Sequence, residues 1–201
     1  YITAVLWCYW HQAWIGVLLA GIERIHIQSD WGNREIRCKE SQDLEPTADG
    51  IYRNLFANIS MPLEEGEVVH ECTKDDAISK YDWKDGIDLL LHTKTGHTLT
   101  VQEKLLKKKY HTATFTEQQG DKPGNWYTSV AHYWFVGYAY KYPVISFDRW
   151  ILIDLPCLKR LDHQQSLNWV IKSNNEPGYK HISFRYIEFR DIPSAAVIAR
   201  F

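Results

Sequence analysis

Residues 85–109, DGIDLLLHTKTGHTLTVQEKLLKKK, hold two short apolar-alternating runs on either side of a turn at Thr95-Gly96-His97. Successive side chains on a strand point to opposite faces. In the first run Asp88 is out of phase with Ile87, Leu89 and Leu91. In the second, Gln102 and Lys104 share one face with Thr98 and Thr100, while Leu99 and Val101 take the other. Paired as a hairpin, the runs bring a carboxylate, an amide and an ammonium onto one polar face. Oxygen donors of this kind suit a hard divalent cation, and an ammonium suits a phosphate.

Working outward, Thr73-Lys74-Asp75-Asp76 has the composition of a helix start, with a side-chain acceptor and acidic residues at the positive end, and predicts a short helix to about Trp83. Strands are expected over 87–92, from 97 to 102 or slightly beyond, and over the β-branched and aromatic run 112–117 (TATFTE). Residues 120–124 (GDKPG) read as a loop. Asn125 then caps a helix over 126–140, where Val130, Tyr133, Trp134, Gly137 and Tyr138 recur at helical spacing. Residues 149–155 (RWILIDL), bounded by Pro156, have the pattern of a buried strand. A helix over 158–171 and a strand over 181–189 follow, and the apolar residues 195–201 pack down.

Upstream, Thr47-Ala48-Asp49-Gly50 is a turn signal, and Ile51, Leu55, Phe56 and Ile59 have helical spacing. Residues 67–72 read as extended. Residues 33–43 fit either a solvated helix or a strand and loop. The uninterrupted apolar run 13–22 is too short to span a bilayer and is expected to be a buried helix, so no membrane partner is expected.

A chain of 201 residues with 45% hydrophobic content can bury the core of one domain. The net charge of −2 gives no bulk attraction to nucleic acid, so any anion-binding surface must be local. The four cysteines lie far apart without a C-x-x-C pair, which points to a reducing, cytoplasmic setting rather than a zinc or disulfide framework. Ser129, His132 and Asp154 are the residue types of a hydrolase triad, but no glycine elbow surrounds the serine. A zinc site at His92 and His97 would need two further ligands. No glycine-rich phosphate loop is present.

Gly86-Ile87-Asp88, then Val101-Gln102-Glu103-Lys104 with Gln102 fourteen positions after Asp88, then a lysine cluster, form a D…QXK pattern. In this the chain resembles the PD-(D/E)XK nuclease superfamily, the restriction-endonuclease-like class, and residues 127–137 and 150–155 are similar to phage-type members. The resemblance implies an α/β fold with an α-β-β-β-α-β core, a mixed central sheet flanked by helices. That core would span residues 73–156 of a single domain, 1–201, with an N-terminal helical extension (1–72) and a C-terminal helix and strand (157–201).

The resemblance further implies a Mg²⁺- or Mn²⁺-dependent hydrolase of DNA phosphodiester bonds, cytoplasmic and of virus-encoded kind. Asp88 would be the metal-binding carboxylate. Gln102 stands where the family has an acid, and Lys104 would act on the nucleophilic water or the scissile phosphate. No proline precedes Asp88. With glutamine at 102, either its neutral carbonyl oxygen coordinates, or Glu103 supplies the missing carboxylate through a local bulge. The backbone carbonyl of Glu103, and Glu67 or Glu71, are the further oxygen donors. Lys107, Lys108, Lys109 and His111 lie just beyond, placed to hold a nucleic-acid backbone. Many proteins of this fold act as dimers, so a homodimer is an expected partner. The competing readings are a catalytically silent nucleic-acid-binding module on the same fold and an unrelated α/β protein.

Overall fold

The structure is a computed structural model that describes residues 21–27, 42–65, 67–72, 85–140, 146–165, 167–174 and 181–201. The expected helix over 73–83 and most of the N-terminal apolar run lie outside the described residues. The architecture is mixed α/β, with a large mixed sheet, a smaller antiparallel sheet and few helices.

In chain order the elements are β1 (Ile22–Ile27), α1 (Glu45–Asn58), β2 (Glu67–Cys72), β3 (Leu89–His92), β4 (Thr98–Leu106), β5 (Thr112–Gln119), β6 (Lys122–Pro123) and α2 (Asn125–Thr128). They continue with β7 (Tyr133–Tyr138), β8 (Arg149–Asp154), α3 (Leu155–Gln165), β9 (Val170–Asn174), β10 (Ile182–Glu188) and β11 (Val197–Arg200). The larger sheet has the order β11-β8-β7-β4-β3-β1-β2, with β1/β2 and β4/β7 parallel and the other pairs antiparallel. The smaller sheet, β6-β5-β10-β9, is antiparallel throughout. It includes strands from the connection between β4 and β7, where a parallel crossover usually carries a helix.

Buried apolar side chains among the described residues gather in two clusters, one on each face of the larger sheet. On one face α1 lays Ala48, Tyr52 and Phe56, spaced four apart, over Leu89, Leu91, Val101, Leu105, Phe135 and Leu152. Full burial of side chains such as Leu89 or Phe56 stabilises by about 1.5–3 kcal/mol each. On the other face Trp134, Val136, Tyr138, Ile151 and Ile153 pack with Phe115 and Ile187 of the smaller sheet and Leu158 of α3. Arg185 of β10 ties the smaller sheet to the helices. It pairs with both Glu117 oxygens, donates to Asp162 at 3.1 Å, and lies over the Trp126 ring at 4.8 Å.

Several expectations are corrected. The expected helix over 126–140 is instead the single turn α2 followed by β7. Residues 133–138 (YWFVGY) are central in the sheet and covered on both faces, and such a strand reads as an unbroken apolar run that helical periodicity also fits. Gly137 belongs to this packing, since a Cβ there would meet the Phe147 ring at 2.6 Å. Asn125 is not the cap: Gly124 holds that position, and Asn125 Oδ1 accepts from Thr116 N at 2.7 Å.

The 47–50 turn signal lies inside α1, whose first turn carries Pro46. A mid-helix glycine such as Gly50 costs about 1 kcal/mol, which the buried face of α1 outweighs. The helix expected over 158–171 begins earlier, at Leu155, and yields to β9. Asp154 Oδ1 caps it by accepting from Cys157 N at 2.7 Å, so Pro156 opens a helix rather than merely closing a strand. At the N-terminus Ile22 starts a strand rather than ending a helix, and Glu23 and Arg24 are buried within it. The strands expected at 67–72, 87–92, 112–117, 149–155 and 181–189 are present. Of residues 195–201, expected to pack down, Ala196 is buried and 197–200 form edge strand β11, but Ile198 and Phe201 are exposed. No helix among the described residues is long and apolar enough to cross a membrane.

Candidate metal and phosphate site

The β3–β4 hairpin pairs Leu89 with Val101, Leu90 with Thr100, Leu91 with Leu99 and His92 with Thr98. Asp88, immediately before β3, donates its N–H to Val101 O at 2.9 Å and accepts from Ile25 N at 2.9 Å. Its carboxylate then extends the ladder: Oδ2 accepts from Glu103 N at 2.6 Å and from Gln102 Nε2 at 3.2 Å. A charged oxygen thus takes the place of a backbone carbonyl where the strand pairing ends. Asp88 and Gln102 come together as the alternation requires.

Gln102 occupies a tight position. Its Oε1 is buried without a hydrogen-bond partner. It faces Gly86, which has φ +58° and approaches so closely that a Cβ there would collide with Gln102 Oε1 and lie 2.9 Å from Ser129 Cβ. Only glycine combines that backbone with that approach at no cost. An unpaired buried carbonyl oxygen costs about 1–3 kcal/mol. Turning the amide over would exchange its oxygen for the nitrogen now facing Asp88. Two oxygens side by side there repel each other unless a cation lies between them, so the pair fits an oxygen-liganded divalent ion.

Lys104 follows Gln102 on the same face and donates to Thr114 O of β5 at 3.4 Å. Glu103 goes the other way. Its carboxylate lies on the α1 face, where it pairs with Arg24 and accepts from Tyr52 Oη at 2.7 Å. β4 keeps unbroken register with β7 from Val101 to Leu106, so no bulge at this pairing turns Glu103 toward Asp88. Among the described residues no group of three or more His, Cys, Asp or Glu could hold a metal ion. Glu67 and Glu71 lie on β2, which β1 separates from β3.

Arg24 is 2% exposed and is ringed by Glu103, Asp49 and Glu45. Burial alone would lower its pKa, but those three carboxylates outweigh it and hold the guanidinium more firmly protonated than a free arginine. Burial and the Glu103 charge push the Tyr52 phenol well above its usual range. The ring of charges joins β1, α1 and β4.

The structure adds two residues beside the hairpin. Ser129 Oγ donates to Gly86 O at 3.0 Å, and Lys159 Nζ of α3 donates to Ser129 O at 2.6 Å. Burial lowers the Lys159 pKa. Nothing in the sequence marks Lys159, because its neighbourhood is made by chain folding. His132 Nδ1 accepts from Thr100 N at 3.0 Å, while Ser129 bonds Gly86, so these two do not pair as a triad. His92 is half-buried and pairs with Glu23 at 3.3 Å rather than standing exposed, whereas His97 is exposed. Of the basic cluster, Lys107 pairs with Asp43 at 2.6 Å, and Lys108, Lys109 and His111 are exposed.

No family model, no curated protein sequence and no solved structure matches this chain.

Proposed function

We propose that the chain is a divalent-metal-dependent nuclease of the restriction-endonuclease-like class, acting on DNA phosphodiester bonds in a cytoplasmic setting. The observation that carries this reading is the Asp88–Gln102 pair, a carboxylate beside an amide whose buried oxygen lacks a hydrogen-bond donor. Asp88, the turned Gln102 amide and the main-chain carbonyl of Glu103 would hold Mg²⁺ or Mn²⁺. When bound, the ion lowers the pKa of a water and offsets charge on phosphate oxygens. The Glu103 side chain has a different task, neutralising Arg24.

Hydrolysis adds one water across a P–O ester bond and leaves a phosphate monoester and a free hydroxyl. Lys104, two residues beyond Gln102 on the same face and ~7 Å further along the strand, presents its ammonium to the charge that builds on the phosphoryl oxygens. Such a group acts most strongly where charge develops during reaction. Gly86 and Ser129 keep Gln102 in place from beneath. Plasmid and single-stranded DNA incubated with Mg²⁺ or Mn²⁺, with EDTA controls, test the reading. Cleavage that disappears in Asp88→Asn and Lys104→Ala supports it, and cleavage that survives both changes overturns it.

A second reading is a catalytically silent DNA-binding module on the same scaffold. What favours it is that the Glu103 carboxylate is held on the far face by Arg24 and Tyr52, and that among the described residues no group of three or more His, Cys, Asp or Glu could hold a metal ion. It predicts salt-sensitive retention of DNA with no turnover in either metal.

A further inference from the structure

The parallel pairing of β4 with β7 brings two C-terminal strand ends to one place. Leu106 is the register partner of Tyr138, and Ala139 N donates to Leu106 O at 3.0 Å. The chain leaves β4 as Lys107-Lys108-Lys109-Tyr110-His111 and leaves β7 as Ala139-Tyr140, so two tyrosines and a lysine run share this end of the sheet. Tyr110 is 51% exposed and Tyr140 is 42% exposed.

Both rings stand on fixed backbone. The Tyr110 ring meets buried Tyr138 edge-on at 5.8 Å, and the Tyr138 hydroxyl donates to Thr112 O at 2.7 Å. Tyr140 N donates to Asp148 Oδ2 at 2.8 Å, and His111 O accepts from Phe189 N at 2.8 Å. Lys109 Nζ lies 5.4 Å from the centre of the Tyr140 ring. Of the acidic groups near the patch, Asp43 pairs with Lys107, Asp148 Oδ2 accepts from the Tyr140 amide, and Glu188 is the register partner of Thr112. Lys108 and Lys109 remain on the exposed side with the two rings.

Exposed aromatic rings interleaved with lysines match one ligand chemistry well. Bases stack on the rings and the backbone phosphates meet the ammonium groups. In a duplex each base face is already covered by its neighbours, so a ring can stack only on a base that is unpaired. The platform begins at Lys108, six residues beyond Gln102 and just past the end of β4, ~20 Å away along the strand direction.

We propose that the shared end of β4 and β7 is a stacking platform for single-stranded DNA, with Tyr110 and Tyr140 taking bases and Lys108 and Lys109 taking phosphates. The choice of DNA rests on the nuclease reading, but binding is measured without chemistry, so the two can fail separately. The probe is a fluorescently labelled oligothymidylate, compared with a labelled blunt duplex and an oligouridylate of equal length. Anisotropy is followed with the full chain in EDTA at fixed salt.

The single strand binds more tightly than the duplex. Tyr110→Ala and Tyr140→Ala each weaken it about tenfold, and Tyr110→Phe and Tyr140→Phe, which keep the ring, bind as the parent does. Duplex affinity is unchanged by the tyrosine variants. Far-UV circular dichroism melts show that the variants remain folded, and the phenylalanine pair gives the answer if an alanine variant does not fold. Equal affinity for duplex and single strand, alanine variants that bind normally, phenylalanine variants that lose binding, or no binding at all would each overturn the platform. Tighter binding of the oligouridylate overturns the assignment to DNA. Single-strand binding by a parent chain that does not cleave DNA with Mg²⁺ or Mn²⁺ sinks the nuclease reading alone.

Discussion

The two faces of β4 differ more than their sequence suggests. Gln102 and Lys104 look toward the smaller sheet, beside Asp88, with an amide oxygen that has no donor. Glu103, between them, looks toward α1 and is consumed by Arg24 and Tyr52. One face holds an amide oxygen without a donor, and the other surrounds the buried Arg24 with Glu103, Asp49 and Glu45. An incompletely satisfied buried group is tolerated where it serves a ligand, and a buried arginine is tolerated only with its counter-ions. The residue with the more conspicuous charge is therefore held in a structural ion pair, and it is its neutral neighbour that stands beside Asp88.

The largest expected effect is on the Asp88 face. Asp88→Asn keeps an acceptor for the Glu103 amide but removes the charge, so cleavage falls at least ~100-fold while the urea midpoint stays near that of the parent. A variant that cleaves normally would break the comparison at its strongest point. Next comes the α1 face. Glu103→Ala leaves Arg24 short of one counter-ion in a buried setting and costs about 3–5 kcal/mol in urea unfolding. Had Glu103 belonged to a metal site instead, the same change would abolish cleavage and leave stability untouched.

Gly86→Ala tests how the polar face is held in place. The new methyl meets Gln102 and Ser129 at a backbone angle that L-residues avoid. We expect a loss of about 1–3 kcal/mol, together with weaker metal-dependent protection against unfolding, read by thermal melts with and without Mn²⁺. The smallest effect concerns pH and lies outside both faces. The hydrogen bond from Arg185 holds the Glu117 carboxyl below its usual value. Its stabilising contribution is complete above the unfolded pKa of about 4.3 and is lost as pH falls through the lower folded value. Glu117→Gln should flatten the acid limb of the melting-temperature profile and leave neutral cleavage unchanged; an unaltered acid limb would assign that slope to other carboxylates.

Much of the hairpin was legible because strand alternation is local. Each side chain's face follows from its position in the run, so alternation alone puts Asp88 beside Gln102, and Lys104 on the face of Gln102. The strands at 149–155 and 181–189 were readable for the same reason. β7 was not, since YWFVGY is apolar on both faces and a doubly covered strand has no period of two to display. β1 was hidden by Glu23 and Arg24, charged residues whose burial only makes sense beside His92 and beside Asp49, Glu45 and Glu103.

By itself the sequence determined the hairpin, the face on which Asp88, Gln102 and Lys104 stand, and the lysine run that follows them, because these depend on neighbours in the chain. Only the tertiary structure decided that Glu103 neutralises Arg24 and that Lys159 reaches Ser129. It also decided that Tyr110 and Tyr140, thirty positions apart in sequence, share one end of the sheet. Those outcomes depend on which strands become neighbours, and the hydrogen-bonded pairing of β1, β4 and β7 sets that through contacts between residues distant in the chain.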